Sequence, residues 1–473
     1  MQVLFASVEV APFAWTGGLG DVAGSLPKAL SEMGVDMRVI MPAHRGARDQ
    51  AEQVHRIVDS CPVHMPWWVT GCAIDQTNLP GSEVPLYLVE HSQYFNRSGI
   101  FGPAGGSYPD NLERFVFFCR AVIESLAGLQ WQPDIIHLND WHTALLALYQ
   151  KSWGHGFRTL YTAHQLAPAF HGLFPAEHQW VAGIDWGRPE TRRFVANGQI
   201  DLARAGLALA DASNTVSERY AWEVSQPGSE EGVADLVSDL GDRFRGILNG
   251  VDYERWDPAS DQVIAAPYST RDLLGKAVCK QNLQRMASLA EDPDMPLIAM
   301  VSRLDALKGF DLVLSALPRI AGAQMVFLGA GEDRYARALG STAMSRDDVT
   351  AFIEFDEGMA RHLYAGADML LMPSRREPSG LAQMVAAKYG AIPIVHKTGG
   401  LADTITESPD SQNGFVFETY SVEDMLAALG RAMDMYRDGR AWRSLIGRAM
   451  NCDFSWARSA ERYLRMYEQV LGS

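Results

Sequence analysis

The chain is poor in the features that mark several large classes of protein. Its five cysteines (Cys61, Cys72, Cys119, Cys279, Cys452) are scattered over 473 residues with no CxxC pair. An odd, dispersed set excludes a disulfide scaffold and fits a reducing compartment. Positive charge is also short: 41 lysines and arginines face 57 aspartates and glutamates, a net charge of −16, with no block of like charge. That balance argues against nucleic acid or an anionic membrane as the main partner, although a small anion can still find a local cationic pocket. No apolar run is long enough to cross a bilayer. The start, Met1-Gln2-Val3-Leu4-Phe5-Ala6-Ser7, lacks a basic segment and a small-residue cleavage site. It reads as a first strand, and the expected location is the cytoplasm. Low-complexity tracts are missing too, and no histidine or cysteine spacing suits a metal.

What the chain does have is length and alternation. At 473 residues it exceeds one ordinary core, and 47% hydrophobic with 21% charged residues is a globular composition. The first half reads as strands at 3–7, 35–41, 84–89, 135–138 and 159–163, with helices at 111–126 and 143–150. The second half starts over, with strands at 297–301, 325–328, 350–355, 369–372 and 392–395 and helices at 310–317, 358–367 and 380–389. Strands alternating with helices predict an α/β protein of two Rossmann-like domains, each a parallel sheet that binds ligands beyond the carboxyl ends of its strands. The Asn-Gly turn in Gly246-Ile247-Leu248-Asn249-Gly250-Val251-Asp252 punctuates the middle. The expected domains are 1–244 and 245–454, followed by an amphipathic tail with Trp456, Tyr463, Tyr467 and Leu471 near helical spacing.

One glycine-rich string occurs twice. It reads Trp15-Thr16-Gly17-Gly18-Leu19-Gly20-Asp21 near the start and Lys397-Thr398-Gly399-Gly400-Leu401-Ala402-Asp403 late in the chain. Strand, Gly-Gly turn and helix start expose backbone N–H groups and a positive dipole end, where an anion can sit. The same string also makes a plain tight turn. Two copies in two halves point to a cleft whose walls both face a ligand.

Other segments carry chemistry. In Val301-Ser302-Arg303-Leu304-Asp305-Ala306-Leu307-Lys308-Gly309-Phe310, Arg303 and Lys308 share one strand-to-helix loop. They suit a diphosphate, the first as a planar fork and the second as a point charge; two solvated surface cations would read the same. In Pro373-Ser374-Arg375-Arg376-Glu377-Pro378-Ser379-Gly380-Leu381, Glu377 precedes a helix, where a carboxylate can accept from ligand hydroxyls. Ser379 is either a helix cap or the start of a run of N–H groups that meets a ligand. Asp140 and His142 come straight off one strand and His164 off another, each in a structural or a ligand-facing role. Asp292-Pro293-Asp294 reads as a turn, and Gly329-Ala330-Gly331 is too short a signal for a dinucleotide.

Taken in order, VLFASVEVAPFAWTGGLGDVAGSLPKAL, SYPDNLERFVFFCRA, HLNDWH, GILNGVDYERWDP, VSRLDALKGFDLV, PSRREPSGL, KTGGLADT and CDFSW resemble the bacterial glycogen synthases and plant starch synthases. The resemblance runs nearly end to end. It implies the two-domain GT-B fold, with the last helix crossing back so that 455–473 completes the N-terminal, acceptor-side domain. It also implies retaining transfer of glucose from ADP-glucose to the non-reducing end of a (1→4)-α-glucan, without a metal or other cofactor. By the resemblance, Arg303 and Lys308 neutralise the departing diphosphate, and Glu377 binds the donor glucose. Gly17, Gly18, Ser379, Gly380, Leu381, Thr398 and Gly399 lie about the donor. Asp21, Asp140, His142, His164 and Asn249 line the cleft, with His164 near the reacting carbon. Two departures stand out. Trp15 replaces the family's lysine, which leaves three readings open: a changed donor, a short acceptor, or a weakly active glucan-binding relative. The segment His164-Gln165-Leu166-Ala167-Pro168-Ala169-Phe170-His171-Gly172 is two residues longer than the family's HNxxYQG. Ser379 stands where many bacterial members have cysteine.

Overall fold

The computed structural model describes residues 1–103 and 106–472. The chain divides into two compact units. One is Met1–Gly250 together with the segment from Trp456 on, and the other is Val251–Ser455.

The first unit is built on a nine-stranded sheet. In chain order the strands are β1 (Gln2–Ala6), β2 (Asp36–Pro42), β3 (His55–Met65), β4 (Trp68–Asn78), β5 (Pro85–Glu90), β6 (Ile135–Asn139) and β7 (Arg158–Ala163). Three short strands, β8 (Leu173–Pro175), β9 (Val195–Ala196) and β10 (Gln199–Asp201), form a separate small sheet. Strands β11 (Ala212–Thr215) and β12 (Phe244–Gly246) then return to the main one. The main order is β12-β11-β7-β6-β1-β2-β5-β4-β3. Val3, Leu4, Phe5 and Ala6 are fully buried, as a strand covered on both faces requires. The sequence reading leaves 55–78 unassigned, and the structure places there an antiparallel hairpin, so the sheet is mixed rather than wholly parallel. Its outer strand β3 alternates only from Cys61 to Met65 and carries Pro62, which suits an edge.

The C-terminal helix, Trp456–Gly472, belongs to this unit's core. Tyr467 Oη lies 2.7 Å from Nδ1 of buried His137, and Asn214 Nδ2 donates to Tyr463 Oη at 3.0 Å. The buried face runs Trp456, Ala460, Tyr463, Tyr467, Val470. Leu471, expected on it, is exposed instead, because the 3.6-residue period carries the stripe to Val470.

The second unit holds a six-stranded parallel sheet of β13 (Leu297–Val301), β14 (Gln324–Leu328), β15 (Val349–Phe352), β16 (Met369–Met372), β17 (Ile392–His396) and β18 (Phe415–Phe417). Their order is β15-β14-β13-β16-β17-β18, the doubly wound 3-2-1-4-5-6 arrangement of a Rossmann sheet. The strand expected to reach 355 stops at Phe352, since Ile353 and Phe355 point into solvent. The helix expected from 380 starts at Ala382, because Gly380 has φ +68° and breaks the helical path. No described helix is long and apolar enough to cross a membrane.

Candidate active site

In each sheet the strand order reverses at one place, and there the loops leave in opposite directions and open a crevice. In the first unit this is between β1 and β6. The loop after β1 carries Glu9, Trp15, Gly17 and Gly18; Asp140 follows β6 directly and His164 follows β7.

These groups interlock. Asp140 sits at φ +55°, a conformation that Asp tolerates at some cost. Its Oδ1 accepts from the His164 backbone N–H at 2.7 Å. Asn139 Nδ2 donates to the Ala6 carbonyl at 3.1 Å, which fixes its amide, so His164 Nε2–H donates to Asn139 Oδ1 at 2.9 Å. His164 therefore keeps the lone pair of Nδ1 as an acceptor. Burial lowers its pKa to about 3, and the imidazole is neutral at physiological pH. Burial pushes the Asp140 carboxyl the other way, to about 7; the Glu9 charge adds to this, and backbone N–H groups of His164 and Gln165 oppose it.

Glu9 is a buried acid of this site that the sequence reading misses. Its carboxylate accepts from the Thr16 N–H and, at 3.1 Å, from Thr16 Oγ1. Burial raises its pKa to about 6, against hydrogen bonds from Thr16 and the backbone of Gly17. The N–H groups at the head of the first Gly-Gly turn thus meet an internal carboxylate. The signal was present: an acid seven residues before a Thr-Gly-Gly turn, within an otherwise apolar run. A Cβ on Gly17 or Gly18 would touch nothing within 4 Å, so packing does not demand these glycines. Gly20, by contrast, has the Trp15 Cβ 2.3 Å from where its own would stand, and this holds Trp15 against the first turn of helix Gly18–Glu32. Asp21 lies in that same turn and adds to the negative charge around Glu9.

Two further candidates have other surroundings. The His142 ring stacks on Phe101 at 4.8 Å and meets Phe115 and Trp141, inside the hydrophobic core. Asn249 is buried, and its Oδ1 has no hydrogen-bond partner among the described residues. An orphaned buried acceptor costs about 1–3 kcal/mol until something donates to it. The lengthened segment after His164 makes a turn at Pro168–Phe170 and pins His171 between Asp201 Oδ2 (2.8 Å) and the Leu166 carbonyl (2.9 Å).

In the second unit the reversal lies between β13 and β16, whose following loops hold Lys308 and Glu377. Lys308 Nζ donates to Glu377 Oε2 at 2.6 Å, and Ser374 Oγ donates to the same oxygen at 3.0 Å. Asp305 caps the turn through the N–H groups of Leu307 and Lys308, which sets the lysine's direction. The loop after β17 locks on: Gly400 N donates to the Glu377 carbonyl at 3.0 Å, and His396 Nδ1 lies 2.8 Å from the Ser374 carbonyl. Here the glycines are required. A Cβ on Gly399 would lie 2.1 Å from the Glu377 carbonyl oxygen and one on Gly400 1.9 Å from that of Ser379. Thr398 precedes the short helix Gly399–Thr404 and is buried. Arg303 stands aside, largely exposed and 3.3 Å from Asp305. Such exposed pairs hold weakly, so the guanidinium can leave for a stronger anion. Ser379 does not cap the helix; its Oγ is buried without a partner among the described residues, next to Gly380 and Leu381.

The second unit thus presents an ammonium and a carboxylate in one crevice, with an exposed guanidinium on the same strand-to-helix loop as the ammonium, a set that suits a phosphorylated, hydroxyl-rich ligand. The first presents carboxylates, a neutral imidazole and open glycines, which suit hydroxyl groups. Among the described residues no three His, Cys, Asp or Glu side chains gather in a way that would hold a metal ion.

Two family models match the chain, one within each unit. The starch synthase catalytic domain family matches residues 2–239, and the glycosyl transferases group 1 family matches residues 282–444. The glycogen synthase of Syntrophotalea carbinolica is 41% identical over 100% of this chain and 99% of its own. That of Geotalea daltonii is also 41% identical with the same coverage. Among solved structures, the catalytic domain of starch synthase IV from Arabidopsis thaliana, bound to ADP and acarbose, superimposes with a TM-score of 0.91. It is 30% identical over 100% of this chain and 99% of its own. Sucrose-phosphate synthase from Thermosynechococcus elongatus, 17% identical over 100% of this chain and 99% of its own, has a TM-score of 0.63 and shares the fold.

Proposed function

The chain belongs to the starch and glycogen synthase family of glycosyltransferases, and on that footing we propose that it transfers glucose from ADP-glucose to the non-reducing end of a (1→4)-α-glucan, with retention of configuration. The Lys308–Glu377 pair at the reversal of the second sheet carries the reading. Glu377 takes one of the three Lys308 N–H donors, leaving two for the β-phosphate as it departs. Arg303 swings from Asp305 to the same diphosphate, and together they supply the charge for which other transferases use a metal. Glu377 and the backbone from Ser379 to Leu381, with Thr398 and Gly399 behind them, hold the donor sugar. In the first unit Nδ1 of His164 accepts from a sugar hydroxyl near the reacting carbon, and Asp21, Asp140 and Asn249 bind hydroxyls. The departing phosphate takes the proton of the attacking glucan hydroxyl, on the same face that the leaving group vacates. The five cysteines, all free thiols, support a cytoplasmic setting.

The test is incorporation of labelled glucose into glycogen from ADP-glucose and from UDP-glucose, with and without EDTA. Incorporation from ADP-glucose that survives EDTA supports the proposal. No incorporation from either donor above a Glu377→Ala control overturns it.

Trp15 favours a second reading, a glucan-binding relative of low turnover. Trp15→Lys supplies a cation to the first Gly-Gly turn and is expected to lower the donor KM and raise kcat, about tenfold in kcat/KM. Unchanged or lower kcat/KM would give the indole a role of its own.

A pH dependence also follows. The neutral form of Asp140 is favoured on folding, so its stabilisation is complete below the ordinary value of 3.8 and is lost as pH rises through about 7. The charged form favours a cationic transition state. Hence kcat/KM is expected to rise between pH 6 and 8 with a midpoint near 7. Asp140→Asn should flatten that limb and cost about tenfold at pH 8. A variant that retains the rise would assign it to another group.

A further inference from the structure

We infer that Trp67 and Trp180 form a surface platform for an α-glucan chain, separate from the residues that act on its end. This rests on the glucan-elongating reading above and adds a site to it. The two indoles are 39% and 56% exposed, and their ring centroids lie 5.0 Å apart at 72°. Large aromatics that face water as a contacting pair, not singly, mark an interaction surface.

The pair is built into the scaffold. Trp67 lies at the turn between β3 and β4, and Trp180 on the short helix Ala176–Ala182. Buried Arg120 ties the two segments together, donating to the His64 carbonyl in one and, at 3.4 Å, to the Ala182 carbonyl in the other. Gly183, at φ +65°, closes the joint: a Cβ there would stand 2.4 Å from Arg120 Nη2 and 2.7 Å from Pro66 Cγ.

The position is telling. Strand β4 runs antiparallel to β5 and pairs Ala73 with Glu90, the last residue of β5. From Ala73 back to Trp68 the hairpin overhangs the carboxyl end of β5 by roughly 17 Å. Helix Ala176–Ala182 comes after the loop that leaves β7 at His164, at that same end. The platform therefore stands at the end of the sheet where Asp140 and His164 lie, toward its β3 edge. A polymer whose terminus reacts there has further sugars to place.

Chemistry selects the occupant. A glucopyranose ring offers an apolar C–H face that lies on an indole while its hydroxyls stay hydrated, which is how tryptophan serves half-wet interfaces. Exposed Glu177 and His178 beside Trp180 offer hydrogen-bond partners for those hydroxyls.

The experiment compares the parent with the double variant Trp67→Ala/Trp180→Ala in native gels cast with glycogen, and in kinetics on glycogen and on maltotriose. The variant is expected to bind glycogen about tenfold more weakly and to show a similar rise in the glycogen KM. Its kcat and KM on maltotriose should stay within about twofold, which also reports correct folding; the Trp67→Tyr/Trp180→Tyr variant should keep most of the retention. Unchanged retention on glycogen overturns the platform, as does an equal loss on maltotriose. So does a dimer of the parent that the variant loses in gel filtration while retention stays intact, which would make the patch a contact between copies. A parent that elongates glycogen while the double variant matches it sinks the platform alone; a parent that neither binds nor elongates glycogen sinks the glucan reading as well.

Discussion

Lys308→Ala is expected to lower kcat on ADP-glucose by about a hundred- to a thousandfold while leaving the glucan KM nearly unchanged. The ammonium is fixed by Asp305 at the foot of its turn and by Glu377 at its tip, so it meets the leaving diphosphate without reorganising. A preorganised charge of this kind acts mainly where charge develops, hence on kcat. The substitution also leaves the Glu377 carboxylate buried with Ser374 as its remaining side-chain donor, at a cost to stability of roughly 1–3 kcal/mol. Lys308→Ala/Glu377→Ala should recover much of that stability and none of the activity. Calorimetry and single-turnover kinetics on the single and double variants separate the two effects. A single variant with near-parental kcat would remove Lys308 from the chemistry.

The second large effect is expected at Glu9, where activity and stability should move in opposite directions. Its raised pKa means that the neutral form is the one favoured on folding. Its stabilising contribution is present below the ordinary value of 4.5 and is lost as pH rises through about 6. Above that pH the protein holds a buried charge at a cost of about 2 kcal/mol. Glu9→Gln removes the charge while keeping an acceptor for Thr16, so at pH 8 it should raise the melting temperature, with little change at pH 5. The same change weakens the grip on the first Gly-Gly turn. A misplacement of this turn by about 1 Å costs on the order of a hundredfold in kcat/KM. A variant both less stable and fully active at pH 8 would refute this account.

Much of the fold was legible because buried parallel strands are short, continuous apolar runs. Val3 to Ala6, Leu297 to Val301 and Met369 to Met372 declare themselves, and the glycines and polar residues after them mark the loops that build the site. The hairpin of β3 and β4 was not legible, since β3 is exposed almost throughout from His55 to Ser60 and irregular in register there, so that alternation is confined to Cys61–Met65. Lys308, Glu377, Asp140 and His164 were legible as candidates because they lie in the loops that follow strands, the last two directly at the strand ends. Glu9 was hidden by its surroundings: a carboxylate in an apolar segment gives no sign of its partner until the chain folds back and brings Thr16 to it. The two Gly-Gly turns read alike in sequence yet differ in cause. Close approach to the Glu377 loop demands the second, while the first leaves room that the protein does not fill.

The helix Trp456–Gly472 closes the face of the nine-stranded sheet that carries Val3, Phe5, Val39 and Leu160. Its residues follow the whole of the second unit in the chain. The unit that is begun first is consequently completed only after the second has been made, reversing the usual order in which domains mature during synthesis. Until this helix is made, the nascent chain carries a completed second unit and a first sheet with part of its apolar face uncovered, and a chain cut short before Trp456 leaves it so.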